Sequence, residues 1–88
     1  MFFFYVIESC KDNRWYKGVS ANVEVRVKQH NAGMTQSTKG YRPWKLIYQE
    51  SFDNFADARK AELYYKSGSG REKLKNKILQ DRPRGSTE

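Results

Sequence analysis

Residues 2–20 read FFFYVIESCKDNRWYKGVS. Two runs rich in aromatic and β-branched residues, 2–8 and 14–19, flank the polar stretch Ser9-Cys10-Lys11-Asp12-Asn13. The runs have the composition of strands, and Asp12 and Asn13 are turn formers, so the simplest connection is a β-hairpin. Each strand carries a tyrosine near its middle, Tyr5 and Tyr16. Tyrosine in a strand ordinarily packs, with its hydroxyl at the rim.

Beyond the hairpin the pattern turns ambiguous. Residues 22–28, NVEVRVK, alternate polar and apolar side chains, which favours a half-buried strand. Against that, Ser20 and Asn22 are good N-caps, Glu24 suits a first helical turn and Gly33 is a natural stop. The local pattern leans slightly to strand. As a helix, the segment would set Arg26 and His30 one turn apart, beside Val23 and Val27.

The rest of the chain is easier to divide. Residues 33–43 are rich in Gly, Thr, Ser and Gln, end in Arg42-Pro43 and read as a loop. Trp44 to Phe52 forms a third strand, with Leu46, Tyr48 and Glu50 on one face and Ile47 on the other. Asp53 or Asn54 caps a helix running to about Ser67, with Gly68 beyond its end. Ser69-Gly70-Arg71-Glu72 fits a capping box, opening a last helix from Arg71 to about Gln80. The expected domain is 1–80, and 81–88 reads as a loose tail. Helices over a small three-stranded antiparallel sheet make an α+β fold with about three helices.

Composition narrows the function. Eighty-eight residues make one domain with one modest core. Seventeen Lys and Arg against ten Asp and Glu give a net charge of +7, which with the many aromatics suits a nucleic-acid partner. The single cysteine excludes an internal disulfide and fits a reducing, cytoplasmic setting. No apolar run reaches membrane-spanning length and no leader-like segment opens the chain, so no membrane partner is expected. One Cys and one His rule out a zinc cluster of those residues. No phosphate-cradling glycine loop and no nucleophile elbow is present. What remains is Tyr, Arg, His and Glu. Phosphodiester cleavage needs a base for water, positive charge on the phosphate and help for the leaving oxygen, and this set can supply them. A tyrosine serves as base only if its pKa of about 10 is lowered, as a nearby cation would do.

The ordered spacing carries more than the residue types. Phe4-Tyr5-Val6, Tyr16-Lys17-Gly18, Arg26 with His30 four residues on, and Glu62 in ADARKAELYYK (56–66) resemble the GIY-YIG nuclease family. Phe4-Tyr5-Val6 stands where that family has Gly-Ile-Tyr or a variant such as Val-Tyr-Ile, and Lys17 replaces the middle residue of Tyr-Ile-Gly. GVSANVEVRVKQHNAG (18–33) is similar to the small stand-alone bacterial members. Thr38, Arg42-Pro43, Leu46, Tyr48 and Glu50 continue the likeness, which runs to about Leu79.

The resemblance implies a helix at 22–32, against the local lean. It implies a catalytic set of Tyr5, Tyr16, Arg26, His30 and Glu62, with Lys17, Gly18 and Arg42 contacting substrate. Both tyrosines would line the site, with Tyr5 the favoured base; Arg26 would grip the scissile phosphate, and His30 would polarise a tyrosine or shuttle a proton. Glu62 would be the single protein ligand of Mg²⁺ or Mn²⁺, the rest of the shell being water and phosphate. The implied function is a metal-dependent DNA endonuclease, structure-selective and linked to repair or recombination, acting on branched, flap or single-stranded DNA. The alternative is a basic nucleic-acid-binding module of the same fold with little turnover. The basic run Arg71, Lys73, Lys75, Lys77, Arg82 and Arg84 would track phosphates, and Trp15, Tyr41 and Trp44 are candidates to stack on an unpaired base.

Overall fold

The elements follow in the order β1 (Phe2–Ser9), β2 (Trp15–Ser20), α1 (Val23–Asn31), α2 (Gln36–Lys39), β3 (Trp44–Phe52), α3 (Phe55–Lys66) and α4 (Gly68–Asp81). The computed structural model describes residues 1–81. The three strands form one antiparallel sheet in the order β2-β1-β3, so the fold is α+β, as expected. The expected loose tail lies outside the described residues, except for Asp81, which ends α4.

The hairpin forms as read, with Tyr5 opposite Gly18 and Ile7 opposite Tyr16. Asn13 adopts φ 65°, a left-handed conformation that asparagine tolerates in tight turns. As the central strand, β1 is covered on both faces, and Phe4, Tyr5, Val6 and Ile7 are all buried. Alternation along β1 divides the core. Phe4 and Val6 pack with Tyr65, Leu74 and Ile78 beneath α3 and α4. Tyr5 and Ile7 pack with Val23 and Trp44 beneath α1 and α2. Each fully buried aliphatic or Phe side chain contributes about 1.5–3 kcal/mol, so β1 anchors both layers.

Residues 23–31 are a helix, correcting the local lean to strand. The Asn22 side chain caps it by accepting from the Val25 backbone N–H at 3.1 Å, and Ser20 Oγ accepts from Asn22 N–H at 3.1 Å. The three valines cost little as helix residues, about half a kcal/mol each, against what burial returns. The helix buries Val23 and half-buries Val27 while leaving Val25 exposed, a pattern a strand would not give.

Three further boundaries differ from expectation. The stretch 33–43 is not all loop, because Gln36–Lys39 forms the short helix α2, raising the helix count among the described residues to four. Helix α4 starts at Gly68 rather than Arg71. Its cap is Ser67, whose Oγ accepts from Gly70 N–H at 3.2 Å, so the Ser69 capping box does not form. That corner is tight: a Cβ at Gly70 would collide with the Tyr64 carbonyl. Finally, Leu46 does not share a face with Tyr48 and Glu50. A bulge lets Val6 face Tyr48 while Ile7 faces Leu46, so Ile47 and Tyr48 both pack towards α3 and α4, and Leu46 turns to the α1 side.

On the α3–α4 side, Glu50 ties three elements together. It accepts from Tyr48 Oη at 2.8 Å, from Tyr65 Oη at 3.3 Å and from Lys77 Nζ at 3.0 Å. Hydrogen bonds that Lys77 donates to Tyr65 Oη and to Glu50 hold it firmly protonated, above the usual lysine range.

Candidate active site

Tyr5 projects from the middle of β1 across β2. Its ring lies directly over Gly18, where a Cβ would sit 2.6 Å from the hydroxyl oxygen. Gly18 therefore makes room for the Tyr5 phenol, and the close approach that a strand glycine signals is made by this side chain. Tyr16 shares the face of Ile7 and packs edge-on against the His30 ring, 4.9 Å between centroids.

Helix α1 brings Arg26 and His30 to the same place, one turn apart. His30 is fully buried and hydrogen-bonded at both ring nitrogens. Nε2 lies 3.0 Å from Tyr5 Oη, and Nδ1 lies 2.8 Å from Thr38 Oγ1. The Thr38 hydroxyl donates to the Thr35 carbonyl at 3.3 Å. Its oxygen must then accept from Nδ1–H, which leaves Nε2 as the acceptor for the Tyr5 O–H. Among the described residues no buried side-chain nitrogen or oxygen lacks a partner, so this assignment leaves nothing unsatisfied.

Burial, reinforced by the Arg26 guanidinium, pushes the His30 pKa down to about 4. Burial pushes the Tyr5 pKa up to about 12, and the neighbouring Arg26 guanidinium opposes that rise. At neutral pH the pair is therefore a neutral phenol donating to a neutral imidazole, with a cation alongside. Arg26 also donates from Nη1 to Gln29 Oε1 at 3.0 Å.

Glu62 comes from α3 and is 8% exposed. Its negative charge adds slightly to the rise in the Tyr5 pKa, so the carboxylate lies within electrostatic reach of the phenol. Both carboxylate oxygens are engaged, one by Arg59 Nη1 at 2.6 Å and the other by Lys66 Nζ at 3.0 Å. Burial alone would raise its pKa, but the hydrogen bonds from Arg59 and Lys66 outweigh that and hold it below the usual range.

Of the expected catalytic residues, Tyr16, Arg26 and His30 thus gather around Tyr5, and Glu62 lies on α3 within electrostatic reach of it. The substrate-contacting residues divide. Gly18 lies under Tyr5. Lys17 belongs to the opposite face of β2, because it pairs with Val6, whose side chain is in the core beneath α3 and α4. Arg42 has a local structural role: its Nε donates to the Lys39 carbonyl at 2.8 Å and its guanidinium packs over Gly33. The three aromatics proposed to stack on bases each have an internal partner. Trp44 is buried and donates to the Thr38 carbonyl at 2.8 Å, Trp15 donates to Glu8 at 3.3 Å, and Tyr41 lies 3.6 Å beneath the Arg14 guanidinium. A groove of about 520 Å³ between α1 and β3, lined by Phe3, Val27 and Leu46 among others, contains none of the site residues.

Two residues join the site that sequence reasoning gave no role. Thr38 fixes His30, but its eight-residue offset within a polar stretch carries no readable signal. Arg59 pairs with Glu62 at a three-residue spacing, which is legible on a helix. For a metal, the donor set is a single carboxylate, and no cluster of three or more His, Cys, Asp or Glu is present among the described residues. Such a set fits an oxygen-seeking divalent ion that keeps most of its ligands as water or phosphate, and does not fit a protein-enclosed zinc. Among the described residues no helix is long and apolar enough to cross a membrane.

Comparison with known proteins identifies the family of the chain. The model of the GIY-YIG catalytic domain matches residues 1–76. The chain is 48% identical to the UPF0213 protein YazA of Bacillus subtilis over 65 residues, which span 73% of this chain and 65%, just under two thirds, of that protein. It is 45% identical to a UPF0213 protein of Pediococcus pentosaceus over 75 residues, 84% of this chain and 78% of that one. A solution NMR structure of a UPF0213 protein from Bacillus halodurans superposes with a TM-score of 0.56 at 32% identity, covering 94% of this chain and 89% of that one. With the tyrosine pair, the Arg–His helix and the α3 glutamate in the order the motif requires, the chain belongs to the GIY-YIG catalytic domain family.

Proposed function

We propose that the protein is a metal-dependent endonuclease that hydrolyses phosphodiester bonds in DNA, with Tyr5 as general base. The observation that carries this reading is the Tyr5–His30 hydrogen bond, with its direction set by Thr38. A phenol alone is a poor base at neutral pH. A phenol whose proton can pass to Nε2 as it accepts one from water is a workable one. In the step proposed, a water oxygen bonds to phosphorus and its proton goes to Tyr5 Oη. The Tyr5 proton moves to His30 Nε2, the phosphorus–oxygen bond to the leaving group breaks, and that oxygen takes a proton from solvent. Arg26, a rigid fork of donors beside Tyr5, meets the charge that builds on the phosphate oxygens. Tyr16, packed on His30, holds the imidazole in place and borders the water.

Glu62 would hold Mg²⁺ or Mn²⁺, which when bound supplies Lewis-acid stabilisation of phosphate and leaving-group charge. Arg59 and Lys66 are each about half exposed, so both can swing aside without unpacking α3. The substrate proposed is selected by structure, as a nick, flap or branch, in a role in repair or recombination.

The double ion pair on Glu62 also supports a second reading, a nucleic-acid-binding module with little turnover, in which the carboxylate serves only to order two basic side chains. Cleavage of labelled single-strand, duplex, nicked, flap and branched DNA, and of RNA, in Mg²⁺, Mn²⁺ or chelator separates the two. The nuclease reading expects metal-dependent products that disappear with Glu62→Gln. Binding to the panel without products in any metal would overturn it in favour of the module.

A further inference from the structure

Lys17, Lys66 and Arg71 are three cations on the side of β2 away from the tyrosines. Alternation along this edge strand sends Tyr16 and Gly18 to the α1 face and Lys17 to the α3–α4 face. Helix α3 packs against β2, and Lys66 is its last residue. Arg71 lies just across the Ser67 corner, its backbone N–H bonded to the Ser67 carbonyl at 2.9 Å. The ion pairs Arg14–Asp12, Lys45–Glu8, Arg59–Glu62, Lys66–Glu62 and Lys77–Glu50 among the described residues involve neither Lys17 nor Arg71. The nearest counter-charge in the group is Glu62 Oε2, 3.0 Å from Lys66 Nζ.

We infer that Lys17, Lys66 and Arg71 form a binding site for a second backbone phosphate of the nucleic acid, across the β2 edge from the phosphate held at Arg26. Converging like charges repel unless an anion sits among them, and a partly buried lysine adds a desolvation cost. Burial and the charges of Arg71 and Lys66 do lower the Lys17 pKa, which agrees with a cluster awaiting a counter-ion. A phosphodiester oxygen is the anion that a neighbouring nuclease site would present there. Lys66 couples the two places, because a phosphate that draws it away from Glu62 frees one carboxylate oxygen at the candidate metal position. The inference rests on the proposed function for the identity of the anion, and a measurement made without cleavage tests it separately.

The experiment is binding of a fluorescent oligonucleotide, single-stranded and duplex, in chelator across a range of KCl. Lys17→Gln and Arg71→Gln should each weaken binding by on the order of fivefold and reduce the steepness of log K against log salt by about 0.7–0.9, the loss of one phosphate contact. Lys28→Gln, an exposed charge beside the groove between α1 and β3, should leave the slope at the wild-type value. Unfolding curves check that each variant folds; Arg71, exposed on α4, gives an answer even if Lys17→Gln is destabilised. Wild-type slopes for both variants, an equal drop with Lys28→Gln, or no binding by wild type would overturn the site. Normal binding behaviour with no cleavage on adding Mg²⁺ would overturn the nuclease reading and leave this site standing.

Discussion

Thr38 Oγ1 sits 2.8 Å from His30 Nδ1 and turns its own proton to the Thr35 carbonyl, so a threonine on the four-residue helix α2 decides which nitrogen of the histidine faces Tyr5. The relation has a direct consequence. Thr38→Val keeps the shape and removes the acceptor, leaving a buried Nδ1–H unpaired at a cost of about 1–3 kcal/mol. Cleavage should fall at least tenfold, with Thr38→Ser restoring most of it. The ¹⁵N shifts of the imidazole should show the Nδ1–H tautomer in wild type and a mixture in Thr38→Val. An unchanged tautomer with unchanged rate would remove Thr38 from the account.

Stability should depend on pH through His30. Its folded pKa is about 4, below the roughly 6.5 of an unfolded histidine. Between those values the unfolded chain binds the extra proton, so stability is full above about pH 6.5 and is lost as pH falls towards 4. Denaturant midpoints at pH 7, 5.5 and 4.5 should drop in that order for wild type, with a flatter profile for His30→Gln. The same shift predicts no histidine-like fall in cleavage between pH 8 and 6, because the imidazole stays neutral there. A midpoint independent of pH over this window would contradict the buried neutral assignment.

Gly18→Ala should damage the site more than the fold. The added Cβ would meet the Tyr5 hydroxyl at 2.6 Å and must push the phenol off His30. We expect a loss of about 1–3 kcal/mol in stability and a fall in cleavage of about a hundredfold, read from denaturation and single-turnover kinetics. Wild-type activity in this variant would show that the phenol position is not critical.

Arg59→Gln tests the guard on Glu62. The pair is half exposed on the arginine side, so stability should change by less than about 1 kcal/mol. The Glu62 pKa should rise towards its ordinary value. With one competing cation gone, half-maximal cleavage should need several-fold less Mg²⁺. An unchanged or higher metal requirement would place Arg59 outside the metal's influence.

Much of the fold was legible where the local code is strong. The hairpin, the third strand and α3 follow from β-rich runs, turn residues and the Asn54 cap, whose Oδ1 does accept from Asp57 N–H at 2.9 Å. Residues 23–31 were not legible locally, because alternating valines satisfy a period of two and only the packing of Val23 and Val27 against β1 selects the helix. The Leu46 face was missed because a bulge has no marker in this sequence, and α2 because its four residues carry no apolar period. In the site, the ordered Tyr, Arg and His spacing picked out residues that the structure brings together around Tyr5. It did not place Arg42, whose guanidinium packs on Gly33, nor reveal that Lys17 faces away from its two neighbours.

The central claim is that Tyr5 moves a proton from water to His30 during phosphodiester cleavage. The most direct measurement is the single-turnover rate of Tyr5→Phe on the best substrate of the panel, in saturating Mg²⁺, beside its binding affinity in chelator. The account predicts affinity within about threefold of wild type and a rate lower by a factor of 100 or more, in line with loss of a general base. A Tyr5→Phe protein that binds and cuts at the wild-type rate would contradict it.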